Sequence, residues 1–216
     1  MEEKGLKIYT INTEEFQDET YFNECYARLS ARRREKTDSY RFWADKRLSV
    51  GAGILLDRGL RQYGLKEAEV KIAYGENGKP YLPDYPEIHY NLAHSGKMAL
   101  AVFAGTEVGC DIEEIKTASL KLAKRFFCPG EYAYINSFDG EEQDFAFYRV
   151  WTLKESFLKV TGMGMRLPMD AFEFGFSQAG GVTIRQNYNH GQYKFLEYDF
   201  GKYHAAICIQ KEEGRR

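Results

Sequence analysis

Apolar and polar residues alternate over residues 6–11, the period of a strand with one covered face. Over 14–29 the spacing becomes helical, and the basic run Arg32-Arg33-Arg34-Glu35-Lys36 follows. Phe42, Leu48, Ile54, Leu55 and Leu60, with small residues between them, predict a long helix over 42–63 packed closely on its neighbours. Gly51 and Gly53 sit inside it. A helical glycine costs about 1 kcal/mol relative to alanine, so these two read as points of close backbone approach.

Turn-rich pieces at 75–80 and 83–86 precede a short extended stretch at 89–92. The apolar run 98–104 predicts a strand; after Gly105-Thr106, 108–112 predicts another, and the two together suggest a hairpin. Residues 120–127 and 130–137 read as helices, and 145–160 is the clearest helix of the second half, ended by Gly162 and Gly164. Strand-like runs at 172–176, 192–198 and 204–210 follow. Each half thus combines helices with a few strands and ends in an apolar strand, at 100–104 and 205–209, and each carries a glycine followed by Leu-Pro, at 78–83 and 164–168. The pattern predicts an α+β protein of two similar halves, 1–105 and 106–216, joined near Gly105.

Composition narrows what such a chain does. At 216 residues, 44% hydrophobic and 15% aromatic, it can bury a sizeable core without staples. Its 30 basic and 32 acidic side chains give a net charge of −2, no overall field for a nucleic-acid backbone, so any anion site is local. Cys25, Cys110, Cys128 and Cys208 are far apart and form no CxxC pair, which predicts buried thiols in a reducing compartment. The first residues mix charges with apolar side chains unlike a signal peptide, and no run approaches membrane-spanning length; the expectation is a cytoplasmic protein with no membrane partner.

The candidate chemistry is acidic. Asp111 and Glu113 lie two apart on a strand-like segment and leave the same face, while Glu155 lies in a separate helix. If the three converge, two carboxylates about 4 Å apart repel by roughly 4 kcal/mol at an effective dielectric near 20, so a cation must sit among them. Oxygen-only ligands suit magnesium, and strand alternation turns Cys110 away from that face. A solvated turn accounts for Asp111, Glu113 and Glu114 equally well on spacing alone. Glu155 with Lys159 four positions on reads alone as a surface ion pair, yet Lys154, Gly162 and Gly164 put a second cation and an exit loop beside it. The turn at His94-Ser95-Gly96 can offer an imidazole and backbone N–H groups to a phosphate, but Ser95 lacks the GxSxG setting of a nucleophile. No two histidines have metal-ligand spacing. The basic residues of 32–47 read first as a solvated face and second as a phosphate site.

Gly78-Lys79-Pro80, Asn91-Leu92-Ala93-His94-Ser95, Gly109-Cys110-Asp111-Ile112-Glu113 and Trp151-Thr152-Leu153-Lys154-Glu155-Ser156-Phe157-Leu158-Lys159 occur in an order that resembles the Sfp-type phosphopantetheinyl transferases. Arg125-Phe126-Phe127 and Glu131-Tyr132 extend the likeness over nearly the whole chain. The resemblance implies two α+β halves related by a pseudo-twofold axis, with coenzyme A in the cleft between them. It implies Asp111, Glu113 and Glu155 as magnesium ligands, Lys159 at the scissile phosphate, and Lys79, His94 and Ser95 around the nucleotide. Arg47 matches the arginine for the coenzyme A 3′-phosphate, with Arg33 and Lys36 as further phosphate contacts. Ala93 departs from the pattern, since relatives often carry serine there.

The resulting expectation is a magnesium-dependent enzyme that moves phosphopantetheine from coenzyme A to a serine of an acidic, helical apo acyl or peptidyl carrier protein. Glu155, directly or through a metal-bound water, is expected to act as the base, and Lys159 as the stabilising cation. A chain holding both halves suffices as a monomer. The rivals are a magnesium phosphohydrolase or nucleotidyl transferase and a non-catalytic coenzyme A binding module; a nucleic-acid binder ranks last.

Overall fold

The alternating stretch at the start of the chain forms β1 (Lys7–Asn12), followed by a short 3-10 turn at Thr13–Gln17. The helix expected over 14–29 is broken at Asp18, whose extended backbone ends the turn and whose Oδ1 accepts Tyr21 N–H at 2.8 Å to start α1 (Glu19–Ala27). The basic run forms a helix of its own, α2 (Ala31–Ser39), capped by Ser30. The predicted long helix is α3 (Trp43–Arg61), with Val50, Leu55, Leu56 and Leu60 in the core. Its glycines are contact points: a Cβ on Gly53 would lie 2.9 Å from Leu29, and one on Gly59 would lie 1.9 Å from the Phe103 ring. Two-residue strands β2 (Ala73–Tyr74) and β3 (Pro80–Tyr81) pair with each other, and β4 (His89–Ser95) and β5 (Met98–Ala104) follow.

The structure describes residues 5–177 and 180–211 of this computed structural model. They fall into two units, Met1–Val108 and Gly109–Arg216. In the first unit the sheet order is β1-β5-β4, antiparallel throughout. Because β5 is central it is almost wholly apolar. The hairpin expected between 98–104 and 108–112 does not form: β5 pairs with β1 and β4, while β6 (Val108–Glu114) belongs to a second sheet. The reason lies in Gly96, whose positive φ of 54° lets a Gly96-Lys97 turn fold β4 back onto β5 and leaves the other edge to β1.

The second unit contains α4 (Leu120–Phe126), α5 (Pro129–Ile135), α6 (Gly140–Thr161), β7 (Phe172–Phe176), β8 (Val182–Gln186), β9 (Tyr193–Asp199) and β10 (Tyr203–Gln210). Gly162, at φ 68°, closes α6 as the sequence predicts. β8 was not anticipated; it pairs antiparallel with β7. The main sheet runs β6-β10-β9, so both units place their first strand at an edge, their last in the centre and their penultimate strand at the far edge. In each, the long helix packs on the central strand, α3 on β5 and α6 on β10. The fold is α+β, as expected.

Two polar clusters hold the second unit together. Lys154, fully buried, donates to Glu131 at 2.8 Å and to the carbonyls of Met169 at 2.6 Å and Phe172 at 2.8 Å. Glu131 in turn accepts the N–H groups of Cys128 and Phe174, so α5, α6 and β7 meet on one saturated pair. Lys154 is therefore a core residue. Arg149 grips Glu197 with both arms, at 2.6 and 2.8 Å. Burial works to raise the Glu197 pKa, but hydrogen bonds from Arg149 and His204 hold it at about 2. All four cysteines are buried free thiols. Among the described residues no helix is long and apolar enough to cross a membrane.

Glu197 is depressed from 4.5, so its contribution to stability is complete above that pH and is lost as pH falls towards 2. Glu197→Gln is expected to lower the unfolding free energy by about 2 kcal/mol at pH 7 and to flatten the acid limb of the stability profile below pH 4.5. Urea unfolding followed across that pH range measures both.

Candidate active site

In the second unit the chemistry begins with a glycine. A Cβ on Gly109 would lie 2.2 Å from Ser156 O and 2.3 Å from Val160 N, so β6 lies against the bare backbone of α6 only because the side chain is absent. Two residues on, Asp111 faces Lys159, whose Nζ donates to Asp111 Oδ1 at 2.6 Å. Glu155 is one turn back on α6, close enough for the Asp111 charge to act on it. The predicted partner of Lys159 four positions back is thus replaced by a carboxylate from β6.

Burial raises the Asp111 pKa; the charge and hydrogen bond of Lys159, and after them the Ile112 backbone N–H, offset this only in part. Burial likewise raises that of Glu155, and the neighbouring Asp111 charge adds to the effect. For Lys159 burial works downward, yet Asp111 first, then Cys110 and least of all Glu155 outweigh it and hold the ammonium above its usual value. Asp111 Oδ2 is buried and accepts no hydrogen bond from any described residue. A buried carboxylate oxygen without a donor is costly unless a cation or donor meets it. The site is short of positive charge.

Among the described residues no three His, Cys, Asp or Glu side chains come together as a metal-binding group. Asp111 and Glu155 approach each other, whereas Glu113 acts electrostatically on Lys116 and Tyr148. The cation that the acids require is supplied in part by Lys159. The donors nevertheless fit magnesium in kind: the open Oδ2 of Asp111 and the Glu155 carboxyl are hard oxygens, and Glu113 lies two residues from Asp111 on the same strand.

The first unit carries the complementary deficit. A pocket of about 220 Å³ is lined by Arg33, Lys36, Ser49, Tyr74, Tyr90 and His94, among others. Arg33 and Lys36 share the inner face of α2 with Thr37, whose hydroxyl meets Ser49 of α3 at 2.7 Å. Burial pushes the Arg33 guanidinium down, against the pull of Glu67. Burial and then the charges of Arg33 and Arg32 push Lys36 down. Crowded, desolvated cations of this kind invite an anion.

Of the predicted cofactor residues, Arg33, Lys36 and His94 line the pocket and Arg47, Lys79 and Ser95 do not. Arg47, nearby on α3, has Nε and Nη1 buried without a hydrogen-bond acceptor among the described residues. Lys79 is ion-paired with Glu107, which also takes His89 Nδ1 at 3.3 Å. Ser95 ends β4 opposite Met98. Ser49, Tyr74 and Tyr90 were missed; only a helical reading of 31–39, which aligns Arg33, Lys36, Thr37 and Tyr40 on one face, would have pointed to the wall they share.

The second unit thus holds a carboxylate–lysine centre and the first a basic pocket. The description "4'-phosphopantetheinyl transferase superfamily" fits residues 107–208. Over 206 residues, 94% of this chain and 92% of the relative, it is 34% identical to 4'-phosphopantetheinyl transferase Sfp of Bacillus subtilis (strain 168). It is 36% identical over 156 residues, 69% of this chain and 66% of the relative, to 4'-phosphopantetheinyl transferase HetI of Nostoc sp. (strain PCC 7120). A holo-(acyl-carrier-protein) synthase from Bacillus anthracis, solved in complex with CoA (3',5'-ADP), matches 50% of this chain and 97% of its own at 14% identity and a TM-score of 0.44. The chain belongs to the 4'-phosphopantetheinyl transferase family and is a transferase.

Gly109→Ala is expected to push β6 off α6, destabilise the protein by about 3 kcal/mol and break the Asp111–Lys159 contact. Denaturant unfolding and a crystal structure of the variant check the two halves of that expectation.

Proposed function

We propose that this enzyme transfers the 4'-phosphopantetheine arm of coenzyme A to a serine of an apo acyl or peptidyl carrier protein, releasing 3',5'-ADP, with magnesium as cofactor. The observation that carries the reading is the buried, donorless Oδ2 of Asp111 beside Lys159 and Glu155. On this reading Arg33 and Lys36, with His94 and the buried guanidinium of Arg47, take the 3'-phosphate end of coenzyme A. Lys79 and Ser95 stand at the rim of the nucleotide site. Asp111 and Glu155, with Glu113, hold magnesium, which when bound neutralises charge on the diphosphate oxygens and on the leaving group.

Glu155 is the base. It stands one turn from Lys159 and within reach of the Asp111 charge, and takes the serine proton directly or through a water. The carrier serine Oγ attacks the β-phosphorus and forms a new P–O bond; its proton passes to Glu155. The bond from that phosphorus to the bridging oxygen breaks, and the electron pair leaves with 3',5'-ADP. Lys159, whose Nζ lies 2.6 Å from Asp111, offers its ammonium to the oxygens of the moving phosphoryl group.

Glu155→Gln is expected to lose transfer by at least about 100-fold, the scale of a removed general base, while its melting temperature stays within a few degrees of the wild type. Weighing apo carrier proteins by mass spectrometry after incubation with coenzyme A and magnesium reads the transfer directly. Free phosphopantetheine without a mass gain on any carrier would favour hydrolysis instead, and full transfer by the variant would remove Glu155 from the role.

A further inference from the structure

Glu67 lies in the segment between α3 and β2, is only 1% exposed, and spends its carboxylate on one residue. Ser30 N–H donates to Oε2 at 2.6 Å and the Ser30 hydroxyl donates to Oε1 at 2.7 Å. Ser30 is the cap of α2, and its Oγ accepts the N–H of Arg33 at 3.2 Å. Glu67 is itself fixed from behind: its N–H donates to Asp57 Oδ1 at 3.1 Å, and Asp57 on α3 is held by Arg61 Nε at 2.6 Å. A chain of bonds therefore runs from α3 through Asp57, Glu67 and Ser30 to the first turn of α2, three residues from the side chain that lines the phosphate pocket. The hydroxyl pair of Thr37 and Ser49 pins the other end of α2 to the same helix.

A carboxylate is a costly choice for this task. A serine caps a helix unaided, and removing a carboxylate from water costs several kcal/mol. A negative charge behind Arg33 also weakens the attraction of the pocket for an anion. Both costs oppose the proposed function of the pocket unless the carboxylate returns something in geometry. Its two parallel bonds to one residue do so, since they fix both the position of Ser30 and its rotamer, and so the axial and rotational placement of Arg33 and Lys36.

We propose that Glu67 is a positioning residue of the coenzyme A site, acting through Ser30 to hold α2 where Arg33 meets the 3'-phosphate; this rests on the reading that the pocket takes that phosphate. The sign of its effect separates it from a bystander. If Glu67 contributed only its charge, removing it would tighten anion binding. If it contributed only to folding, the active fraction and hence kcat would fall with KM unchanged.

The test is calorimetric binding of 3',5'-ADP to the full chain, with steady-state transfer to an apo carrier protein alongside. Glu67→Ala is expected to raise both the Kd for 3',5'-ADP and the KM for coenzyme A about tenfold at unchanged kcat, the scale on which residues behind a binding group act. Glu67→Gln, whose amide oxygen accepts one of the two Ser30 bonds, is expected to raise both about threefold at unchanged kcat, and if the alanine variant does not fold an unchanged Kd in Glu67→Gln overturns the proposal. An unchanged or lower Kd in Glu67→Ala, or in both variants a fall in kcat at constant KM, would overturn the proposal. A wild-type protein that fails to bind 3',5'-ADP overturns the coenzyme A reading and the role of Glu67 together, whereas normal wild-type binding with an indifferent Glu67→Ala removes the role alone.

Discussion

The candidate active site depends on a backbone contact in which no side chain takes part. Where β6 crosses α6, Gly109 lies so close to Ser156, Lys159 and Val160 that a single methyl group would collide with main-chain atoms. That approach brings Asp111 within 2.6 Å of Lys159, and it buries the far oxygen of the same carboxylate away from solvent and from every described donor. The raised basicity of Glu155 follows from the same crowding, because burial and the Asp111 charge act on it together. One missing side chain thus sets the charge balance of three residues that come from a strand and a helix far apart in sequence.

The two units carry opposite electrostatic deficits. In the first, Arg33 and Lys36 are desolvated and repel each other, while two nitrogens of Arg47 are buried without an acceptor among the described residues. Where β6 meets α6 in the second, the carboxylates of Asp111 and Glu155 both act on the ammonium of Lys159. An unmet charge in a folded protein lowers stability, and a ligand that meets it recovers that free energy as affinity. On the proposed function, the phosphates of coenzyme A would answer the deficit of the first unit and a divalent cation that of the second.

Much of this was legible in the sequence. The strands at β1, β5 and β10 and the helices α3 and α6 announce themselves because each has one long, uninterrupted hydrophobic period. Spacing singled out Asp111, Glu113 and Glu155, of which Asp111 and Glu155 approach each other while no three-acid metal cluster forms among the described residues. What stayed hidden depended on partners distant in the chain. The 98–104 and 108–112 runs look like a hairpin locally, yet the Gly96 turn commits β5 to β4 and its apolar faces commit it to the middle of a sheet. The basic run was not read as a helix because its single buried side chain, Thr37, gives no apolar stripe; its packing is polar, through Ser49 and Glu67. Lys154 looked like a site residue from its place beside Glu155, but a step of one residue on a helix turns a side chain by about 100°, enough to send it into the core. Glu67 carried no signal, since a glutamate in a polar loop reads as solvated.

On the proposed function, Asp111 offers its open oxygen to a divalent ion that accompanies coenzyme A. Manganese, followed by electron paramagnetic resonance while it is titrated into protein and coenzyme A, tests this without reference to turnover. The account predicts that the wild type holds manganese and that Asp111→Asn weakens its binding by at least about tenfold, as loss of a charged ligand should. Equal manganese affinity in the two proteins would contradict it.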